Sequence, residues 1–181
     1  MDNGANNYIR FLNGDKEGFV ELVREYHDRL VLFIDTFVND IHISEEAADN
    51  AFMKLYTKKP KYKSNYSFKA WLYTIGKNSA LDCLKKLKRN RFSPIEDYFY
   101  ISDETDIETD IIKDEEKIAI HQAMRVLKKE YSQILYLIYF EELDNSEAGK
   151  VMGKSARQVS DLIYRAKAAL KAELERRGIH G

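Results

Sequence analysis

Arginine pairs well with guanine, and glutamine with adenine, when a helix carries them into the major groove of DNA. Arg157 and Gln158 stand together near the start of a helical stretch that opens at Ser155. On that stretch Arg157, Gln158, Asp161, Tyr164 and Arg165 fall mainly on one side; Val159, Ile163 and Ala166 or Leu170 fall on the other. Arg165, Lys167 and Lys171 are better placed for phosphate than for bases. Just upstream, Leu143 to Met152 reads as a short helix, Gly153 as a tight turn and Ser155 as a cap. The whole is a helix-turn-helix. Charges of this kind also decorate helices that are only solvated. The Gly153 turn and the small Ala148 and Gly149, which let two helices approach closely, favour DNA reading.

A second constellation lies between Lys58 and Arg91, where lysines alternate with Tyr62, Tyr66, Phe68, Trp71 and Tyr73. Cations that follow a phosphate backbone, interleaved with rings that stack on bases, suit single-stranded DNA. Phe68 and Trp71 have helical spacing and suit a core; Tyr62 and Tyr66 stand in a loop beside lysines and suit stacking.

Charge is segregated around these groups. Lys58 to Arg91 holds 11 Lys and Arg against Asp82 alone, and Phe92 to Glu116 holds 10 Asp and Glu against Lys113 alone. Lys150 to Arg177 then holds 8 Lys and Arg against Asp161, Glu173 and Glu175. A basic–acidic–basic order fits two phosphate-contacting surfaces joined by a charged linker.

The elements that must position these residues are helices. Apolar periodicity predicts a short helix over Tyr8 to Leu12 and a long one over Lys16 to Asn39, with Asp15 as cap. Ser44 caps the next, whose buried stripe is Ala47, Ala48, Ala51, Phe52, Leu55 and Tyr56. Thr57 to Tyr66 is a loop, and Ser67 caps a long helix that ends near Arg89. An acidic, flexible linker follows Ser93-Pro94, and helical pattern resumes near Lys113. With 181 residues, 8 Gly and 2 Pro, the chain reads as all-α: two small helical domains joined by the linker, the C-terminal one a helix-turn-helix. The boundaries are 1–91, 92–112 and 113–181.

Chemistry of other kinds is missing from the pattern. No Gly-rich phosphate loop or nucleophile motif occurs. His27, His42, His121 and His180 lie far apart, each reading as a surface or half-buried helical residue, so no metal and no cofactor is expected. Cys83 is the one cysteine; it excludes an internal disulfide and fits a reducing cytoplasm. The polar start of the chain has no apolar signal core, and no apolar run is long enough to span a bilayer. The expectation is a cytoplasmic protein without membrane insertion, and not an enzyme.

Both halves resemble one family, the extracytoplasmic-function sigma factors of bacterial RNA polymerase. Ser67 to Asp82, Ser-Phe-Lys-Ala-Trp-Leu-Tyr-Thr-Ile-Gly-Lys-Asn-Ser-Ala-Leu-Asp, is similar to that family's region-two signature. Glu45 to Tyr56 resembles its polymerase-binding helix, and Leu143 to Leu170 its region four. The resemblance implies a sigma factor that binds core polymerase and directs promoter recognition, DNA melting and initiation. It implies polymerase contacts through Glu45, Glu46, Asp49, Asn50, Phe52 and Met53 on the β′ clamp, and a contact of the second module with the β flap. It implies −10 contacts through Lys61, Tyr62, Lys63, Ser64, Asn65, Tyr66, Asn78, Lys85, Lys86, Lys88 and Arg89. It implies −35 reading through Ser155, Arg157, Gln158, Ser160, Asp161, Tyr164, Arg165 and Lys167. The partners implied are core RNA polymerase, promoter DNA and an anti-sigma factor.

Asp49-Asn50 stands where the family often has Gln-Glu, and Gly76 and Gly149 stand where it usually has alanine. Arg157 and Gln158 replace smaller residues, which suggests a distinct promoter preference. Two other readings stay open: a stand-alone helix-turn-helix regulator, which would normally dimerise on paired half-sites, and a pure protein-interaction module.

Overall fold

The computed structural model describes residues 3–63, 65–90 and 114–179, and every regular element among them is helical. The linker expected over 92–112, and Ser64, lie outside the described residues.

The first module holds four helices. α1 (Asn3–Leu12) begins earlier than the periodicity of Tyr8 to Leu12 implies, because Gly4 and Ala5 are small enough to be buried there. Tyr8 is fully buried and its hydroxyl donates to the Pro60 carbonyl at 2.7 Å, tying α1 to the loop ahead of Phe68. α2 (Lys16–Val38) starts as expected at Asp15, whose carboxylate accepts from the Glu17 N–H. α3 (Ile41–Lys58) departs from expectation: Asp40, not Ser44, is the cap, accepting from the Ile43 N–H at 3.1 Å. Ser44 is buried inside the first turn and donates to the Asp40 carbonyl at 2.7 Å. α4 (Phe68–Asn90) follows Ser67, whose hydroxyl accepts from the Ala70 N–H at 3.2 Å. Leu22, Leu30, Phe33, Ile34, Ala48, Leu55 and Leu72 close the core between α2, α3 and α4. Gly76 lets α4 meet α2: a Cβ there would lie 2.5 Å from Leu30 Cδ1.

The second module comprises α5 (Glu115–Arg125), α6 (Lys129–Leu135), one π-helical turn (Tyr136–Phe140), α7 (Asn145–Met152) and α8 (Ala156–Arg176). Met124, Ile134, Leu135, Leu137, Ala148, Val151, Val159, Leu162 and Ala166 form its core. The buried stripe of α8 is thus Val159, Leu162 and Ala166, with Ile163 half-buried rather than central.

The two modules pack on each other, α7 against α4 and α6 against α2, and their apolar interiors join. The seam also carries charge. Glu141, 1% exposed, takes Arg29 Nη2 at 2.7 Å and Lys69 Nζ at 3.8 Å, both from the first module. Arg29 Nε donates to its other oxygen at 3.1 Å, and Lys69 donates to its main-chain carbonyl at 2.8 Å. Burial outweighs these cations and holds the Glu141 carboxyl above its usual range. Further along the seam, Asp35 meets His121 Nε2 at 3.4 Å and Arg125 Nε at 3.3 Å. His121 is therefore fully buried, contrary to the surface or half-buried expectation, because the second module is pressed onto α2.

Candidate nucleic-acid interface

The helix-turn-helix is fixed at both ends of its turn. Asp144 and Glu147 make a reciprocal capping box at the start of α7: the Glu147 N–H donates to Asp144 Oδ1 at 2.8 Å, and the Asp144 N–H to Glu147 Oε2 at 3.2 Å. Gly153 ends α7 with φ of +66°, a left-handed conformation that costs a glycine little. Gly149 sets the spacing; a Cβ on it would stand 2.4 Å from the Lys154 carbonyl oxygen. Ser155 then caps α8 in a second capping box, accepting from the Gln158 N–H at 3.2 Å while the Ser155 N–H donates to Gln158 Oε1 at 2.9 Å.

This geometry leaves Arg157, Ser160, Asp161, Tyr164 and Arg165 on the solvent side of α8, with Tyr164 79% exposed. Gln158 is also exposed, but its amide oxygen is held by the cap, leaving its NH₂ for a base. Lys167 takes another direction: its ammonium sits 5.3 Å from the Tyr139 ring centroid. It borders a groove of about 850 Å³ walled by Ile120, Met124, Tyr139, Leu170 and Leu174, a feature that no motif announced.

The tyrosine–lysine loop is partly built into the fold. Tyr62 packs against Phe68 and Trp71, with ring centroids at 5.5 and 5.3 Å, and its hydroxyl donates to the Tyr66 carbonyl at 2.6 Å. It shapes the loop as much as it faces solvent. Tyr66 is half-buried and lies under the Lys150 ammonium of α7, 4.0 Å from its ring centroid. Lys61, Lys63 and Asn65 are exposed, as are Asn78, Lys85, Lys86, Lys88 and Arg89 along α4. Lys77, next to Asn78, is turned into the seam and donates to the Val151 carbonyl at 3.2 Å. Burial, then the nearby Lys154, holds its ammonium below the usual lysine range.

On α3, Glu46, Asp49 and Met53 are exposed, Met53 at 59%. Glu45 and Asn50 are half-buried, and Asn50 donates to Cys83 Sγ at 3.6 Å. Phe52 points inward, 4% exposed, against the rings of Phe19 and His27, so it holds α3 in place instead of offering surface. His27 stands between Asp28 and Asp49 at 3.1 and 2.9 Å. Among the described residues no cluster of three metal-ligating side chains occurs, and no helix is long and apolar enough to cross a membrane.

Residues 22–90 match the family model of sigma-70 region 2, and residues 117–170 that of sigma-70 region 4. Over 92% of its length the chain is 29% identical to RNA polymerase sigma-H factor of Pseudomonas aeruginosa, covering 91% of that protein. It is 26% identical to the ECF RNA polymerase sigma factor SigW of Bacillus subtilis, over 89% of this chain and 91% of that one. The chain is a sigma factor of the extracytoplasmic-function group. Its fold is shared with two solved structures. CnrH, solved in complex with the cytosolic domain of CnrY, has a TM-score of 0.67 at 18% identity, covering 97% of this chain and 99% of that one. RpoE of Bartonella quintana, solved with the anti-sigma factor NepR, has 0.65 at 19%, over 87% and 96%. This sigma factor carries region 2 on α2 to α4 and region 4 on α5 to α8. Its family is not one of enzymes.

Proposed function

We propose that this sigma factor docks on core RNA polymerase through α3, on the β′ clamp, and through its second module, on the β flap. Residues 1–91 then serve the −10 element and residues 113–181 the −35 element, with 92–112 spanning the space between them. The observation that carries the reading is the doubly capped helix-turn-helix, whose Arg157, Tyr164 and Arg165 face solvent while Val159, Leu162 and Ala166 are buried.

Arg157 reads a base edge, and Arg165 contacts phosphate. Ser155, Ser160 and Asp161 line the same entry to the groove, and Gln158 adds its NH₂. Lys167, turned toward Tyr139, is the weakest member of this set. Lys61, Lys63, Asn65, Tyr66, Asn78 and the basic end of α4 capture the displaced −10 strand. Melting unstacks bases at a cost of a few kcal/mol each, which loop contacts offset. The protein works where promoter DNA is, in the bacterial cytoplasm, and an anti-sigma factor binds it, a reading supported by RpoE, of the same fold, having been solved in complex with the anti-sigma factor NepR.

Gel filtration with core polymerase tests the docking. The wild type co-elutes with the core enzyme, and Met53→Glu, which puts a charge on the exposed apolar point of α3, elutes largely free. Absence of wild-type co-elution contradicts the proposal.

A further inference from the structure

His27 stands between two carboxylates, its Nδ1 3.1 Å from Asp28 Oδ1 and its Nε2 2.9 Å from Asp49 Oδ1. A neutral imidazole carries one N–H, and its other nitrogen accepts; an ionised carboxylate only accepts. Carboxylates on both ring nitrogens are therefore satisfied together by the imidazolium and not by the neutral ring. Burial works against that charge, but the bonds to Asp28 and Asp49 outweigh it and hold the imidazole above its ordinary value of 6.5. Asp28, from α2, and Asp49, from α3, are the charged groups that act on the ring among the described residues. α3 also lays Phe52 against it, with ring centroids 5.9 Å apart.

The placement ties this proton to a docking surface. His27 belongs to α2, whereas Asp49 lies on the exposed face of α3, between Glu46 and Met53. From Ile41 to Met53 that helix holds Glu45, Glu46 and Asp49 and no lysine or arginine, so its face suits a basic partner surface. The Asp28 and Asp49 side chains are 70% and 71% exposed, so either can leave the ring for solvent or for a cation of the partner.

We propose that His27 is a positioning residue for polymerase docking: as an imidazolium it pins Asp49 to α2, and on losing its proton it gives the Asp49 charge to a cation of the polymerase. The proposal rests on the docking through α3 given above. A neutral ring keeps at most one of the two carboxylates and cancels the charge of neither. Docking therefore tightens as pH rises through the neutral range. His42, exposed on the same helix and 3.8 Å from Glu45, titrates on the same face and needs its own control.

The test is the affinity of the full-length chain for immobilised core RNA polymerase, measured by biolayer interferometry at about pH 6 and about pH 8 at one ionic strength. The wild type should bind about fivefold tighter at the higher pH, the effect of one unit charge a few ångströms from a cation in water. His27→Gln cannot carry the proton and should lose that gain, whereas His42→Gln should keep it. Circular dichroism checks helix content; should His27→Gln lose helix, Asp49→Asn, at an exposed position, carries the same expectation. In parallel, an NMR titration of the free protein should show the His27 midpoint falling in Asp49→Asn. A midpoint that Asp49→Asn leaves unmoved overturns the pinning of Asp49. A gain with pH that survives in folded His27→Gln belongs to the polymerase or to His42 and overturns the proposal as well. A wild type that binds equally at both pH values overturns the proposal and leaves the docking of α3 standing; one that binds at neither overturns both.

Discussion

Gln158 has two roles in one side chain: it closes the cap of α8 and it stands where a base would be read. Substitution can separate them. Gln158→Glu keeps a side-chain acceptor for the Ser155 N–H, so thermal stability should change little, while pairing with adenine is lost. Ser155→Ala should lower stability by about 1 kcal/mol through loss of the cap, measured by urea denaturation. If Gln158→Glu leaves promoter-directed transcription intact, Gln158 serves only the cap. At the far end of α8, Glu173 accepts from Arg176 at 2.7 Å and from Arg177 at 2.6 Å, and those bonds, Arg176's first, hold its carboxyl down to about 2. A carboxyl lowered in the folded state stabilises the fold fully above its ordinary value of 4.5 and loses that contribution as pH falls toward 2. An NMR titration should place Glu173 well below the other surface glutamates, and Arg176→Gln with Arg177→Gln should return it to the ordinary range. A Glu173 midpoint unchanged by that double substitution contradicts the pairing. Residues such as Arg157 and Tyr164 were legible in the sequence because helical period alone sorts them from Val159. Glu141 was not. It is followed by Glu142, an exposed residue with φ of +56°, and what distinguishes the two is distant in sequence: Arg29, 112 residues away, and Lys69, 72 residues away.

Among the elements, the turn between α7 and α8 sets the groove-facing angle of the recognition helix. Gly149→Ala brings a Cβ against the Lys154 carbonyl, a backbone atom that cannot step aside. Overpacking of this kind should destabilise by about 1–3 kcal/mol, more than the helix propensity of alanine returns. A thermal melt of Gly149→Ala at or above the wild type would show that α7 and α8 can separate freely. Most elements could be read in advance, since Asp15, Ser67 and Ser155 each sit immediately ahead of an apolar period and each caps as expected. Ser44 misled because a serine followed by two glutamates is a cap signature, while Asp40, four residues earlier, offers a stronger acceptor next to Asn39, which turns left-handed at φ of +57°. The π-helical turn at Tyr136–Phe140 leaves no local signal; it occurs where the chain delivers Glu141 to the seam.

At the scale of the whole molecule, sequence patterns revealed two helical modules and which surface of each is basic. They did not reveal that the modules close on each other, because the seam depends on pairs such as Arg29 with Glu141 and Asp35 with His121, which join distant parts of the chain. Lys150 and Lys77 reach across that seam, Lys150 to the Tyr66 ring and Lys77 to the Val151 carbonyl. The most direct measurement is run-off transcription with bacterial core polymerase, this protein and a pool of promoter-like templates. Discrete start sites that require the protein, and that fall at least about tenfold when Arg157 becomes alanine and its guanine contact is lost, are the expected result. Templates transcribed no better with the protein than with core enzyme alone would contradict a sigma factor that reads its promoter through α8.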